Sequence, residues 1–107
     1  MSYRVAYLGE AKQDMKEIAE YLCQYYASTA RNFSSKLKGQ VRTLKDTPYM
    51  YPAYGDDPYF RRMVVDDYLL FYSVDEKRRL VVVHRVFHAS RDLSRQILSR
   101  RLPNAIS

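Results

Sequence analysis

The chain has 107 residues, of which 47% are hydrophobic and 28% are charged. This length and composition are typical of a folded protein with one modest core, so residues 1–107 are predicted to form a single domain rather than a disordered chain. Eighteen Lys and Arg residues against 12 Asp and Glu residues give a net charge of +6. A basic chain favours an anionic partner, either nucleic acid or an acidic protein segment, and charge alone does not choose between them.

Two features of the sequence bear on the compartment. Cys23 is the single cysteine, so an internal disulfide cannot form, which is consistent with a reducing cytoplasm. Its position beside apolar residues in a helical pattern predicts a buried, unreactive thiol. Residues 1–4 lack the apolar run of a secretion signal, and no stretch approaches the length of a transmembrane helix. We therefore expect a cytoplasmic protein without a membrane partner.

The first part of the chain predicts a strand and an amphipathic helix. Residues 3–8 alternate between two faces, which is the period of a strand. Residues 10–26 place apolar side chains at helical spacing. Acidic side chains of this segment, including Asp14 and Glu17, fall on the opposite side and are predicted to face water.

A second helix is predicted to follow after a short link. Ser28 and Thr29 are good N-cap residues, and a helical apolar stripe continues as far as Leu44. The residue before Pro48 avoids the helical region, so the helix is expected to end there. Because the link is short, the two helices should form an antiparallel hairpin.

The rest of the chain predicts an aromatic loop, three strands and a last helix. Residues 47–59 are rich in Pro and Tyr, and the tyrosines are expected to cover the core rather than stack on bases. Strands are predicted at 60–65, 68–74 and 79–87, because these segments are rich in β-branched and aromatic residues and their turns are too short for a crossover. Residues 91–102 return to helical spacing.

The predicted fold class is α+β, with an N-terminal strand, a helical hairpin packed on an antiparallel sheet containing a three-strand meander, and a C-terminal helix. Alternation along the last strand puts Leu80, Val82, His84, Val86 and His88 on one face, and Val81, Val83, Arg85 and Phe87 on the other. Neither face is cleanly polar, so alternation does not decide which one meets the helices. His84 is expected to be a partly buried, hydrogen-bonded residue.

Six segments form an ordered pattern from the first helix to the residues that follow the last strand. They are residues 11–18 with Tyr21, Ala30 with Phe33, Leu44 with Pro48 and Pro52, Arg61 with Arg62, residues 67–75, and residues 86–93. In order and spacing they resemble the toxins of the RelE/ParE superfamily across nearly the whole chain. The sequence is therefore identified as a RelE/ParE-like toxin domain.

The resemblance implies the toxin of a bacterial type II toxin–antitoxin module, which arrests growth until a cognate antitoxin wraps it. RelE-like members are ribosome-dependent endoribonucleases that cut mRNA, whereas ParE-like members inhibit DNA gyrase and are not known as enzymes. Promoter DNA is expected to be bound only through the antitoxin complex, and plasmid stabilisation is the associated role. The antitoxin is expected to be acidic where it wraps the toxin and to be encoded beside it.

RNA cleavage through the 2′-hydroxyl needs a base, cations that stabilise the phosphorane, and an acid. If the chain is a ribonuclease, Arg61, Arg85 and His88 are the expected catalytic residues. If it binds a protein target, Arg61, Arg62, His88 and Arg91 are expected to contact that target. A structural role for His88, fixing the turn that follows the strand, is equally compatible with its position. Zinc normally needs three or four ligands, so no metal or cofactor is expected.

The end of the pattern favours the ParE side. Ribonuclease members typically carry a catalytic tyrosine or arginine around the last strand and after it, but here Ala89 follows His88 and residues 87–107 contain no tyrosine. Residues 47–60 also lack the lysines that some ribonuclease members use. We therefore expect ParE-like inhibition of gyrase, with RelE-like mRNA cleavage as the alternative.

Overall fold

In the computed structural model, which describes residues 2–54 and 57–90, two helices lie on one face of a five-stranded sheet. In chain order the elements are β1 (Arg4–Tyr7), α1 (Gly9–Cys23), α2 (Ala27–Thr43), β2 (Ala53–Tyr54), β3 (Asp57–Val65), β4 (Tyr68–Asp75) and β5 (Leu80–His88). The helix predicted at 91–102 lies outside the described residues, as does Arg91.

The strand order is β1-β5-β4-β3-β2, and the antiparallel meander β3-β4-β5 is confirmed. The sheet is nevertheless mixed, because β1 runs parallel to β5 with Arg4 opposite Leu80. Most of the chain, including the helical hairpin, separates these two strands, and a long crossover of this kind permits parallel pairing. The strand β2, paired with β3 at Ala53 and Arg61, was not predicted because two residues are too few to show a period.

The helical hairpin is confirmed, but its boundaries differ from the prediction. The second helix begins after Tyr26, whose side chain makes no capping hydrogen bond, so the expected caps at Ser28 and Thr29 are wrong. It ends at Thr43 rather than at residue 47. Leaving the helix early brings the carbonyl of Lys45 to the backbone N–H of Tyr3 at 2.7 Å.

The main core lies between the helices and one face of the sheet. Amphipathic spacing on α2 directs its apolar side chains at the sheet, where they bury almost completely. The cluster includes Phe33, Leu37, Val41, Leu44, Met63, Leu70, Tyr72, Val81, Val83 and Val86. A second cluster, formed by Phe60, Phe71 and Phe87, is also buried. Because strand side chains alternate, Phe71 points to the face opposite its neighbours Leu70 and Tyr72, so this second cluster lies on the face away from the helices.

A β-bulge interrupts the alternation of β5. Phe71 pairs with Arg85 but the next residue of β4, Tyr72, pairs with Val83, which leaves His84 as the extra residue. Beyond the bulge, Val86 joins the helix-side core together with Val83. The predicted grouping of Val86 with Leu80 and Val82 is therefore wrong, since one inserted residue moves the following side chains to the other face.

The prediction for Cys23 is also wrong, because its side chain is exposed. Cys23 ends α1, and one helical position of about 100° separates it from Leu22, which packs against the core. A thiol at this position therefore lies off the apolar stripe. Among the described residues, no helix is long and apolar enough to cross a membrane.

Candidate functional site

An open groove of about 630 Å³ lies between α1 and the end of β5. Its position follows from the length of β1, which pairs with β5 only as far as Tyr7 opposite Val83. Beyond Val83 this edge of β5 has no strand neighbour among the described residues, and α1 lies along it instead. The lining includes Glu10, Gln13, Asp14, Glu17 and Tyr21 from α1, and Tyr68, Arg85, His88 and Ser90 from the sheet side.

The inner wall of the groove is a two-point ion pair. Arg85 donates through Nε to Oδ2 of Asp14 at 2.7 Å and through Nη2 to Oδ1 at 3.1 Å. The backbone N–H of Val86 donates to the same carboxylate at 3.0 Å, which satisfies a donor on the open edge of β5. The prediction that Asp14 faces water is wrong, since its side chain is 14% exposed and that of Arg85 is 17% exposed. The hydrogen bonds that Arg85 donates to Asp14 raise the pKa of Arg85, which stays charged.

The groove carries an excess of negative charge. Its described lining contains the carboxylates of Glu10, Asp14 and Glu17 against the guanidinium of Arg85, and Oε2 of Glu10 also lies 3.8 Å from Nη1 of Arg85. Arg85 is therefore committed to its carboxylate partners. An RNA phosphate approaching this guanidinium would meet three like charges at close range.

His88, a candidate in both predicted mechanisms, is held by the turn that follows β5. The backbone N–H of Ser90 donates to Nδ1 of His88 at 3.1 Å, and Oγ of Ser90 lies 2.8 Å from the same nitrogen. Because an N–H group can only donate, Nδ1 is the acceptor and the neutral ring carries its hydrogen on Nε2. The ring also packs edge-on against Tyr68 with centroids 5.3 Å apart. These contacts fix the turn that follows β5, which is the structural role considered for His88.

Arg61 is engaged by the aromatic loop. It donates through Nη1 to the carbonyl of Tyr51 at 2.6 Å, and its guanidinium lies 4.8 Å from the ring centroid of Tyr49. Its cross-strand neighbour Tyr72 is fully buried and donates to the carbonyl of Pro48 at 2.8 Å. Burial raises the pKa of Tyr72 to about 12, so this phenol is neither accessible nor ionised near neutral pH.

The proposed catalytic groups do not converge on one point. Arg61 lies opposite Tyr72 and His88 opposite Tyr68, so the two are offset by four residues of β4, or about 13 Å along the strand. They also lie on different strands, since Arg61 belongs to β3 and His88 to β5, which flank β4. Arg62, which follows Arg61 in the strand, points to the other face, with its guanidinium 5.8 Å from the ring centroid of Tyr54.

His84 behaves as expected from the sequence. Its Nε2 lies 2.8 Å from Oγ of Ser73, and its ring packs edge-on against Phe60 with centroids 5.0 Å apart. Burial lowers the pKa of His84 to about 4, so the ring is neutral at physiological pH. This hydrogen-bonded histidine packs against the second cluster through Phe60.

A second polar cluster centres on Glu76 in the turn before β5, and sequence reasoning did not find it. Its carboxylate accepts hydrogen bonds from the phenols of Tyr3 and Tyr49. The bond to Glu76 raises the pKa of Tyr49 to about 12. The cluster ties the N-terminal strand and the aromatic loop to one turn, and spacing could not reveal it because its members lie far apart in the sequence. Among residues 2–54 and 57–90, no group of His, Cys, Asp and Glu could hold a metal ion.

The arrangement of two helices on a mixed sheet is shared with toxins of type II toxin–antitoxin systems. The chain superposes on a structure of the chromosomal ParDE system of P. aeruginosa with a TM-score of 0.68, at 12% identity, over 81% of this chain and 96% of that one. The isolated E. coli RelE toxin matches with a TM-score of 0.61, at 19% identity, over 94% and 99% of the two chains. The RelBE2 complex of Mycobacterium tuberculosis matches with a TM-score of 0.63, at 18% identity, over 82% and 99%.

A match in sequence identifies the family to which the chain belongs within this class of toxins. Residues 5–93 match the family model described as the ParE toxin of the type II toxin–antitoxin system parDE. The chain therefore belongs to the ParE toxin family. No curated protein sequence gives a significant match.

Proposed function

We propose that this toxin arrests growth by inhibiting DNA gyrase, that a cognate antitoxin neutralises it, and that residues 1–107 act as one toxin domain. The family match over residues 5–93 supports the ParE direction. The observation that carries the choice of target class is the pairing of Arg85 with Asp14 inside an acidic groove. A surface that repels phosphate suits a protein target better than mRNA.

The chemistry of RNA cleavage is poorly served by the candidate residues. The charge of Arg85 is paired with that of Asp14, Arg61 donates to a backbone carbonyl, and Nδ1 of His88 accepts from the backbone N–H of Ser90. Phosphorane stabilisation needs cations aimed at one phosphate, and these groups neither converge nor remain available for one. These contacts support a toxin that binds rather than cuts.

An antitoxin partner is supported by the proteins whose structures are similar to this fold. A similar chain, at 19% identity and a TM-score of 0.61, comes from the intact E. coli RelBE toxin–antitoxin complex. We propose that the toxin acts in the cytoplasm, and that its antitoxin is encoded beside it and has an acidic segment that complements the net charge of +6. Promoter DNA would be reached through this complex.

For target contacts we propose Arg62 and His88 within the described residues, together with Arg91. Arg62 is exposed on the face away from the helices, whereas Arg61 is partly buried and points to the other face. Arg61 therefore contributes to target binding by positioning the aromatic loop.

The test uses the full chain in two assays. Purified toxin is expected to inhibit supercoiling by gyrase, and cells expressing it are expected to induce the DNA-damage response without new mRNA 5′ ends. Arg62→Glu should weaken the inhibition, while Arg78→Glu, the same charge reversal at an exposed turn position, should leave it unchanged. Normal supercoiling at excess toxin, together with codon-positioned mRNA cuts that Arg85→Ala or His88→Ala abolishes, would instead establish the RelE-like alternative.

A further inference from the structure

The two helices of the hairpin carry charge of opposite sign. Helix α1 (Gly9–Cys23) has four Asp and Glu residues against two Lys residues, whereas α2 (Ala27–Thr43) has four Lys and Arg residues and no acidic residue. Neighbouring cations on one helix repel one another, and α2 contains no carboxylate that relieves this repulsion. The positive charge of the hairpin therefore lies on the α2 side.

A basic groove of about 610 Å³ runs between α2 and β1. The described part of its lining contains no carboxylate and has four exposed cations, which are Arg4, Lys38, Arg42 and Lys45. Within residues 2–54 and 57–90, none of the three cations on the α2 side of the groove forms an ion pair, whereas Lys36 on the same helix is paired with Asp66. The groove thus presents cations that the described part of the chain does not neutralise.

These cations form a row rather than a pocket. Lys38 and Arg42 are four residues apart, which places them about 6 Å apart along the axis of α2 and about 40° apart around it. Lys45 follows in the turn after the helix, and Arg4 lies on β1 across the groove. A small anion needs donors that converge on one point, so a row of cations suits a polyanion better. Duplex DNA is such a polyanion, with one phosphate charge per about 1.7 Å of its axis.

We propose that the basic groove binds the phosphate backbone of duplex DNA without regard to sequence. Lys38, Arg42 and Lys45 would contact phosphates along one strand, and Arg4 would reach the backbone from β1. Phosphate contacts position a protein without reading bases, so recognition of a promoter would remain with the antitoxin complex. The inference rests on the proposed function in one respect, since it takes the duplex to be the DNA on which gyrase acts.

The groove can hold a nucleic acid but lacks the groups that would cut one. Its described lining has no His, Asp or Glu that could act as a general base. A second copy of the chain docked through the same groove would bring two sets of four cations together, which charge repulsion disfavours. Binding of DNA at this groove is therefore compatible with a toxin that does not cleave nucleic acid.

The first experiment measures binding of the full-length toxin to a fluorescent DNA duplex by anisotropy over a range of salt concentrations. If four cations meet four phosphates, the logarithm of the association constant should fall against the logarithm of the salt concentration with a slope of about −3 to −4. Two duplexes of unrelated sequence should bind within ~2-fold of each other, because backbone contacts carry no sequence information.

The groove is tested with a matched pair of single substitutions. Lys38→Gln and Lys36→Gln remove the same charge from exposed positions of one helix, but the two side chains point about 160° apart around it. Lys38→Gln should make the salt slope shallower by about 1, and the double variant Lys38→Gln with Arg42→Gln should make it shallower by about 2 and weaken binding by ~10-fold or more at low salt. Lys36→Gln should bind within ~2-fold of the unaltered toxin. Circular dichroism of each variant checks that it is folded.

Two further polyanions test the occupant. Poly-L-glutamate carries its charges about 3.3 Å apart or more when extended, so it should bind more weakly than DNA and with a shallower slope. An RNA duplex of the same sequence should bind no more tightly than the DNA. Tighter binding of either competitor, equal effects of Lys36→Gln and Lys38→Gln, or a strong preference between the two DNA sequences would overturn the inference. None of these measurements uses gyrase, so a toxin that binds DNA but leaves supercoiling intact would refute the proposed target and not the DNA site.

Discussion

The guanidinium of Arg85 and the carboxylate of Asp14, 71 positions apart in the sequence, meet through two hydrogen bonds of 2.7 and 3.1 Å. The pair joins α1 to the part of β5 that extends past β1, and it also closes the edge of that strand through the backbone N–H of Val86. Arg85, one of the candidate catalytic residues, thus connects the helix to the sheet.

Replacing Asp14 should therefore destabilise the fold. Asp14→Asn removes the hydrogen-bonded counter-charge of the largely buried Arg85 and leaves only Glu10, 3.8 Å away, so the free energy of unfolding is expected to fall by about 2–3 kcal/mol. Urea denaturation followed by circular dichroism measures the change. Glu17→Gln, an exposed acid on the same helix, should cost less than about 0.5 kcal/mol. Equal effects of the two changes would contradict the assigned role of Asp14.

His84 gives the protein a defined acid sensitivity. Its pKa is about 4 in the folded state, depressed by burial from an ordinary value of 6.5, so the unfolded chain takes up this proton first as the pH falls. The stability contributed by the neutral ring is complete above pH 6.5 and is lost as the pH falls towards 4, by up to about 3 kcal/mol. His84→Gln keeps a polar partner for Ser73 but does not titrate. Unfolding free energies measured across this window should fall less steeply for the variant, and parallel curves would refute the prediction.

Arg61 should matter for stability in a way that a lysine does not reproduce. Arg61→Ala removes a charge-assisted hydrogen bond to Tyr51 and a cation–π contact with Tyr49, with an expected loss of about 1–2 kcal/mol. Arg61→Lys should recover less than half of this, because an ammonium cannot stack its plane on a ring. Thermal unfolding provides the comparison. Arg62→Ala, on the exposed face, removes a longer cation–π contact of 5.8 Å with Tyr54 and should cost less than about 1 kcal/mol, and a larger loss there than at Arg61 would contradict the assignment.

Gly39 offers a stabilising change. It lies inside α2, is exposed, and a Cβ built on it would meet nothing within 4 Å. Gly39→Ala should raise the free energy of unfolding by about 0.5–1 kcal/mol, because alanine loses less backbone entropy in a helix. Urea titration tests this, and a destabilised variant would show that the space around Gly39 is needed. Ser35→Ala, at an exposed position of the same helix, serves as a control with an expected gain of less than about 0.5 kcal/mol.

The sequence predicted the elements whose residues repeat with a clear period. The helical hairpin and the meander follow from amphipathic spacing and from β-branched strands, and the family resemblance is confirmed over residues 5–93. Contacts between segments that are distant in the sequence could not be predicted from periodicity. The parallel pairing of β1 with β5 and the burial of Asp14 depend on where elements meet, which one-dimensional spacing does not encode.

Errors in the site have the same origin. Periodicity placed Asp14 on the water-facing side, because a polar residue beside the apolar stripe of a helix is expected to face water when the helix is considered alone. In the structure, the ion pair with Arg85 buries it. The bulge at His84 defeated the assignment of faces on β5, since a single extra residue reverses everything after it. His84 itself was predicted well, because an imidazole among apolar neighbours needs one partner, and Ser73 supplies it.

The pairing of Arg4 with Leu80 also sets the order of events during synthesis. At about 5–20 residues per second, a ribosome needs roughly 4 to 15 seconds after making Arg4 before it reaches Leu80. During that interval β1 has no partner strand, and the acidic groove of α1 lacks the strand end that carries Arg85. The nascent chain therefore acquires its finished toxin surface only as the last strand leaves the ribosome, which gives an antitoxin already present in the cell time to meet it.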